Sequence, residues 1–113
     1  MLRTKNDISV IAGFESLTKA NSLFKVRGDS MINAGIESGD YLLVSSSIKP
    51  KDGEIAVIGF DGYLLVKRVY FYRNTIKLIS ENPKYKPLLI NKINKINYLG
   101  KVLSSIKELP SIA

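Results

Sequence analysis

Histidine and cysteine are both absent from the 113 residues. Without cysteine there is neither a disulfide nor a thiolate metal site, and without histidine a zinc centre loses its other usual ligand. A serine nucleophile, if there is one, cannot use the imidazole base most such enzymes rely on. Long apolar runs are missing too. Stretches such as IAVIGF are of strand length, far from the roughly 20 residues of a membrane helix. The N-terminal MLRTKNDISV carries charge without a long apolar core, so it does not read as a signal peptide. There is no Gly/Ser-rich linker and no internal repeat, and the length suits one domain. The expectation is a soluble cytoplasmic protein with no membrane contact, no metal and no cofactor.

Charge is the first positive feature. The formal net charge is +7, with seven Lys/Arg against eight Asp/Glu in residues 1–66 and ten against two in residues 67–113. A basic half can mark an anionic partner such as nucleic acid. Here the basic residues are dispersed, and the joint richness in Lys, Asn and Ile reads as a compositional bias. Tyr63, Tyr70, Phe71 and Tyr72 could stack on bases, but strand aromatics more often belong to a core. Direct nucleic-acid binding is therefore not the expected function.

Turn signals recur at short intervals with strand-length apolar runs between them, which predicts a mainly β domain with several hairpins and little helix. DISVIAGF, SLFKVRG, YLLVSS, EIAVIGF, YLLVKRVYF and TIKLIS read as strands, and MINAGI as one helical turn. Asp61-Gly62, between IGF and YLLVKRVYF, is the strongest hairpin signal. ENPKYKP reads as loop, because two prolines deny ladder hydrogen bonds. LLINKINKINYL fits strand or helix, and YLGKVLSSIKEL a last strand whose end could be helical.

The stretch KVRGDSMINAGIESGDYLLV places Ser30 in a tight turn after a strand-like run, a common setting for a nucleophile. With no histidine, the available base is a carboxylate or a neutral lysine, and Ser–Lys pairs are a known variant of triad chemistry. A lysine, with a reference pKa of about 10.4, accepts a proton near neutrality only when desolvated. Of thirteen lysines, Lys67 is the one embedded in an apolar strand, sharing a face with Leu65 and Val69. The alternative is an ordinary edge-strand lysine, a description that suits Arg68 better. The Asp29 and Ser30 amides are candidates to hold an oxyanion. Asp29 itself reads as a turn-former.

RGDSM, SGDYLLV, DGEIAV and DGYLLVKRV, in that order, resemble the self-cleaving peptidase domain of the LexA and UmuD family, shared by phage repressor C-terminal domains and more distantly by signal peptidases. The similarity runs over about residues 24–107, through LISENPKYKPLLI and YLGKVLSSIK. It implies a compact, mainly β, LexA/signal-peptidase-like fold, usually a homodimer. It implies Ser30 as nucleophile and Lys67 as general base, 37 positions apart. It also implies a serine endopeptidase that cuts its own chain at a small-residue bond, with a RecA filament on single-stranded DNA as partner. The outcome in the DNA-damage (SOS) response is repressor inactivation or activation of a translesion polymerase subunit.

Ala12-Gly13 in VIAGF is the candidate scissile pair, although Ala34-Gly35 offers a second. Gly13 lies 17 positions before Ser30, a shorter arm than the resemblance implies, though one that spans up to roughly 55 Å when extended. Cleavage between subunits could replace cleavage within one. The expected organisation is an arm over residues 1–23 and a Ser–Lys peptidase domain over 24–113. With no room for a helix-turn-helix domain ahead of residue 8, the chain reads as a UmuD-like protein or a repressor's separated peptidase domain. The alternative is a dimeric regulatory module of the same fold that docks on a partner without cutting.

Overall fold

Phe60 and Tyr63 face each other across a two-residue turn, Asp61 at φ 52° and Gly62 at φ 78°. Both angles are positive, the requirement that makes Asp-Gly a hairpin turn, and the hairpin lies where the sequence put it. The computed structural model describes residues 3, 4, 8, 9, 21–91 and 96–107. Their strands are β1 (Arg3–Thr4), β2 (Ile8–Ser9), β3 (Asn21–Val26), β4 (Tyr41–Ser45), β5 (Ile55–Phe60), β6 (Tyr63–Phe71), β7 (Thr75–Ile79), β8 (Leu88–Asn91) and β9 (Asn97–Ile106). A 3₁₀ turn, Ile32–Ala34, is the only helical segment among the described residues, so the mainly β expectation holds. The ambiguous LLINKINKINYL is strand at both described ends. The suggested helical end of the chain lies beyond residue 107, outside the described residues.

The strands form one sheet in the order β2-β3-β4-β9-β5-β6-β7-β8, with β1 added parallel to β6 and every other pairing antiparallel. The backbone of the segment expected as an arm thus pairs with β6 at residues 3–4 and with β3 at residues 8–9. The sheet is strongly curled. β3 and β6 stand four strands apart, about 19 Å in a flat sheet, yet Phe24 and Val26 share one core with Leu64 and Val66. A second core lies on the opposite face of β5 and β6, where Ala56, Ile58 and Val69 meet Ile76, Leu78 and Ile90. The alternation of β5 and β6 between these two cores explains why both read as near-continuous apolar runs.

Gly100 lets β9 cross β4 closely. A Cβ at this position would lie 2.7 Å from the Ser45 carbonyl carbon and 2.8 Å from a Val44 methyl. The first neighbour is backbone and cannot rotate away. Gly100→Ala is expected to cost about 1–3 kcal/mol, seen as a lower urea midpoint at unchanged m-value.

Candidate active site

The turn carrying Ser30 is built at the end of β3. Val26 donates its amide to the Asp40 carbonyl at 2.8 Å and accepts from Gly39 N at 2.9 Å, pinching the base of a loop over residues 27–38. Gly28 enters the loop at φ 95°, where a side chain would be strained. Ile32 N then closes a turn on the Asp29 carbonyl at 3.2 Å. Met31, 1% exposed, plugs into the first core and drags its neighbour inward. Ser30 is 2% exposed, and its Oγ has no hydrogen-bond partner among the described residues. A buried hydroxyl left so is uncommon, because it forfeits its hydration without compensation. No backbone carbonyl engages the Asp29 or Ser30 amide among the described residues, while the Asp29 amide helps hold its own carboxyl below the ordinary value.

The loop base is tied further by Asp40, whose carboxylate accepts from Glu37 N (2.8 Å), Lys107 Nζ (2.7 Å) and Ser105 Oγ (3.2 Å). Burial pushes this carboxyl up, but these donors outweigh burial and hold it below the usual carboxylate range.

Lys67 sits in β6, which lies between β5 and β7 and is no edge strand. Its side chain faces the second core beside Val69 and is buried, 5% exposed. The β6–β7 register pairs Arg68 with Ile79 and Val69 with Leu78, so its continuation sets Lys67 opposite Ser80. Lys67 Nζ donates to Ser80 Oγ at 2.5 Å, and it lies 5.4 Å from the centre of the Tyr85 ring. Arg68 points the other way, donating to the Gly53 carbonyl at 2.6 Å and pairing with Glu81.

The Ser30 turn and Lys67 are joined through the segment that follows β7. Ser80 holds the lysine. The next residue, Glu81, accepts from Asn33 N at 2.8 Å and points its own amide at Met31 Sδ, 3.3 Å away. Asn82 Nδ2 donates to the Asp29 carbonyl at 2.8 Å. Tyr85, its ring near Lys67, donates its hydroxyl to Asp29 Oδ1 at 2.6 Å, and Lys84 Nζ reaches Asp29 Oδ2 at 2.9 Å. The Tyr85 hydroxyl and the Lys84 ammonium hold the Asp29 carboxyl below its ordinary value, and Asp29 in return raises Lys84. A depressed carboxyl of this kind contributes above its unfolded pKa and loses that contribution as pH falls through the folded one. Beside this clamp, a cavity of about 580 Å³ opens between the 28–38 loop and Lys84–Tyr85.

Ser30 and Lys67 are therefore both buried, and one segment binds Lys67 and the residues that flank Ser30, but Nζ is engaged by Ser80 rather than by Ser30. Ala12-Gly13 lies outside the described residues. Ala34-Gly35 closes the 3₁₀ turn, with Gly35 left-handed at φ 79°, so it is not extended backbone. Sequence reading overlooked Ser80, Asn82 and Tyr85. Ser80 could have been found as the polar member of the inward-facing series Ile76, Leu78, Ser80.

The family model described as Peptidase S24-like matches residues 3–103. The LexA repressor of Magnetococcus marinus is 44% identical over 80 residues, covering 71% of this chain and 35% of the repressor. That of Carboxydothermus hydrogenoformans is 37% identical over 98 residues, 83% of this chain and 47% of the repressor. That of Anaeromyxobacter dehalogenans (strain 2CP-1) is 35% identical over 109 residues, 95% of this chain and 48% of the repressor. The chain thus spans between about a third and half the length of these curated relatives.

Proposed function

Because the chain belongs to the S24-like peptidase family and is homologous to a part of LexA repressors, we propose that it is an autocatalytic serine peptidase domain that cuts its own chain with a Ser30–Lys67 dyad. The observation that carries this reading is a buried serine hydroxyl without a partner among the described residues, in a turn whose neighbours Asp29, Met31 and Asn33 are bonded to the same segment, residues 80–85, that holds a buried lysine. Neutral Lys67 takes the Ser30 proton as Oγ attacks the scissile carbonyl carbon. The Asp29 and Ser30 amides hold the oxyanion. The Lys67 ammonium then returns the proton to the departing amine, leaving an acyl-serine. Water, deprotonated by the same lysine, releases the new carboxylate and restores Ser30.

The substrate we assign is Ala12-Gly13, whose small side chains let an extended backbone enter a narrow site, cut within one subunit or between two. The proposed partners are a second copy of the chain and a RecA filament on single-stranded DNA, and the setting is repressor inactivation or activation of a polymerase subunit after DNA damage. Cytoplasmic residence belongs to the same reading. Among the described residues no helix is long and apolar enough to cross a membrane.

Incubating the purified chain at mildly alkaline pH, with and without RecA filament, is expected to yield two fragments that meet at residues 12 and 13. Only a neutral amine accepts a proton, so the first-order rate should climb with pH, by up to about tenfold per unit. An intact mass after prolonged incubation under both conditions contradicts the reading. The second reading, a dimeric regulatory module that does not cut, draws on the engagement of Lys67 Nζ by Ser80 instead of Ser30. It predicts that intact mass together with failure of serine-directed acylating reagents to label the protein.

A further inference from the structure

Ser80 is in direct contact with the buried amine, and the dyad leaves it without a task. We infer that Ser80 is a positioning residue that fixes the direction in which Lys67 presents its lone pair. The inference rests on the Ser30–Lys67 reading and deepens it.

A lysine side chain has four rotatable carbons, so burial alone does not aim its nitrogen. The neutral amine needed for catalysis has two N–H bonds and one lone pair. When one N–H is committed to Ser80 Oγ, 2.5 Å away, rotation about the Cε–Nζ bond is arrested and the lone pair is confined to the remaining tetrahedral positions. The ring of Tyr85, 5.4 Å from Nζ, offers only a diffuse attraction and no direction. Ser80 can supply direction because it is itself held. It stands across from Lys67 in the continued β6–β7 register and is 8% exposed. It is followed by Glu81, whose carbonyl receives Asn33 N and whose carboxylate pairs with Arg68. Backbone on the far side of Ser30 is thereby fixed to the residue after the one that aims the base. Nucleophile and base are set by a single piece of chain, so a small shift of that piece moves both.

The proton count is unaffected by this role. Ser80 accepts a hydrogen bond before and after the transfer, and neither gains nor loses a proton. A hydrogen bond to a charged or catalytic amine of this kind corresponds to about a 10- to 100-fold effect on rate when removed.

The test compares wild type, Ser80→Ala and Ser80→Thr. Labelling of Ser30 by a fluorophosphonate is followed by intact mass, and self-cleavage at alkaline pH is measured alongside. Ser80→Ala should react about 10- to 100-fold more slowly in both assays, and Ser80→Thr, which keeps the hydroxyl, should recover most of the rate. Thermal unfolding of the three proteins identifies a variant that has merely loosened, since threonine adds a methyl to a buried site and would not rescue a packing defect. Equal rates for wild type and Ser80→Ala overturn the inference while leaving the dyad intact. So does a loss of rate that threonine fails to restore in a protein as stable as wild type. Absence of labelling in wild type itself overturns the dyad, and this inference with it.

Discussion

Ser30→Ala and Lys67→Ala should each bring self-cleavage to a stop, lowering the rate by a factor of about 10⁴ or more. The double variant should be no slower than either single one. Members of a nucleophile–base pair act on the same step, so removing one already forfeits what the other supplies. Stability separates this loss from unfolding. Ser30 Oγ is buried with no partner among the described residues, and deleting such a hydroxyl recovers its desolvation cost. Ser30→Ala is therefore expected to be as stable as wild type or about 1 kcal/mol more so. Lys67→Ala, in contrast, exchanges a long buried side chain for a methyl and leaves a cavity, which costs about 2–4 kcal/mol. Intact mass after alkaline incubation reads the first effect and urea unfolding the second. A mixture of Ser30→Ala with wild type also reports the geometry of cleavage. Cutting of the Ser30→Ala chain shows that one subunit serves another, and its persistence shows that each chain cuts only itself. A Ser30→Ala protein that still cleaves at the wild-type rate removes Ser30 from the chemistry.

Much of the fold was legible because its signals are local. The Asp61-Gly62 turn needs two positive φ angles, and its residues say so. The alternation in SLFKVRG and TIKLIS marks strands buried on one face. Lys67 stood out for a related reason, as a charged residue inside an apolar strand, but an ordinary edge-strand lysine reads the same way, and only the strand order sets β6 inside the sheet. Ser80 escaped because its meaning depends on register. The alternation Ile76, Leu78, Ser80 could mark the serine as inward-facing, but only once Arg68 is set opposite Ile79 does it fall across from the lysine. Tyr85 escaped for the same reason on a larger scale. It lies in a loop flanked by prolines and reaches 56 positions back to Asp29. The strand order itself, with β9 inserted between β4 and β5, joins the end of the described chain to its middle, a pairing that no local pattern contains.

Replacing Lys67 by methionine should do the opposite of what loss of a structural side chain does. Lys67 as a whole is 5% exposed, on a face it shares with Val69, and across from Ala56. Withdrawing an ammonium from water costs several kcal/mol even after the protein relaxes. Among what Lys67 gains in return are a hydrogen bond to Ser80 and the face of the Tyr85 ring, about 1.5–3 and 0.5–2 kcal/mol respectively. Methionine matches the length of the side chain closely, fills irregular apolar space and keeps a favourable contact with an aromatic ring. The expected result is a protein about 1–3 kcal/mol more stable, with a melting temperature higher by roughly 5 °C or more, and with no self-cleavage. If Lys67 were there to hold the sheet together, the same substitution would lower the melting temperature, and the measurement would tell the two apart. A stabilised but inactive Lys67→Met would mean that the fold tolerates a costly buried amine for the proton it can carry, the trade expected of a residue retained for chemistry.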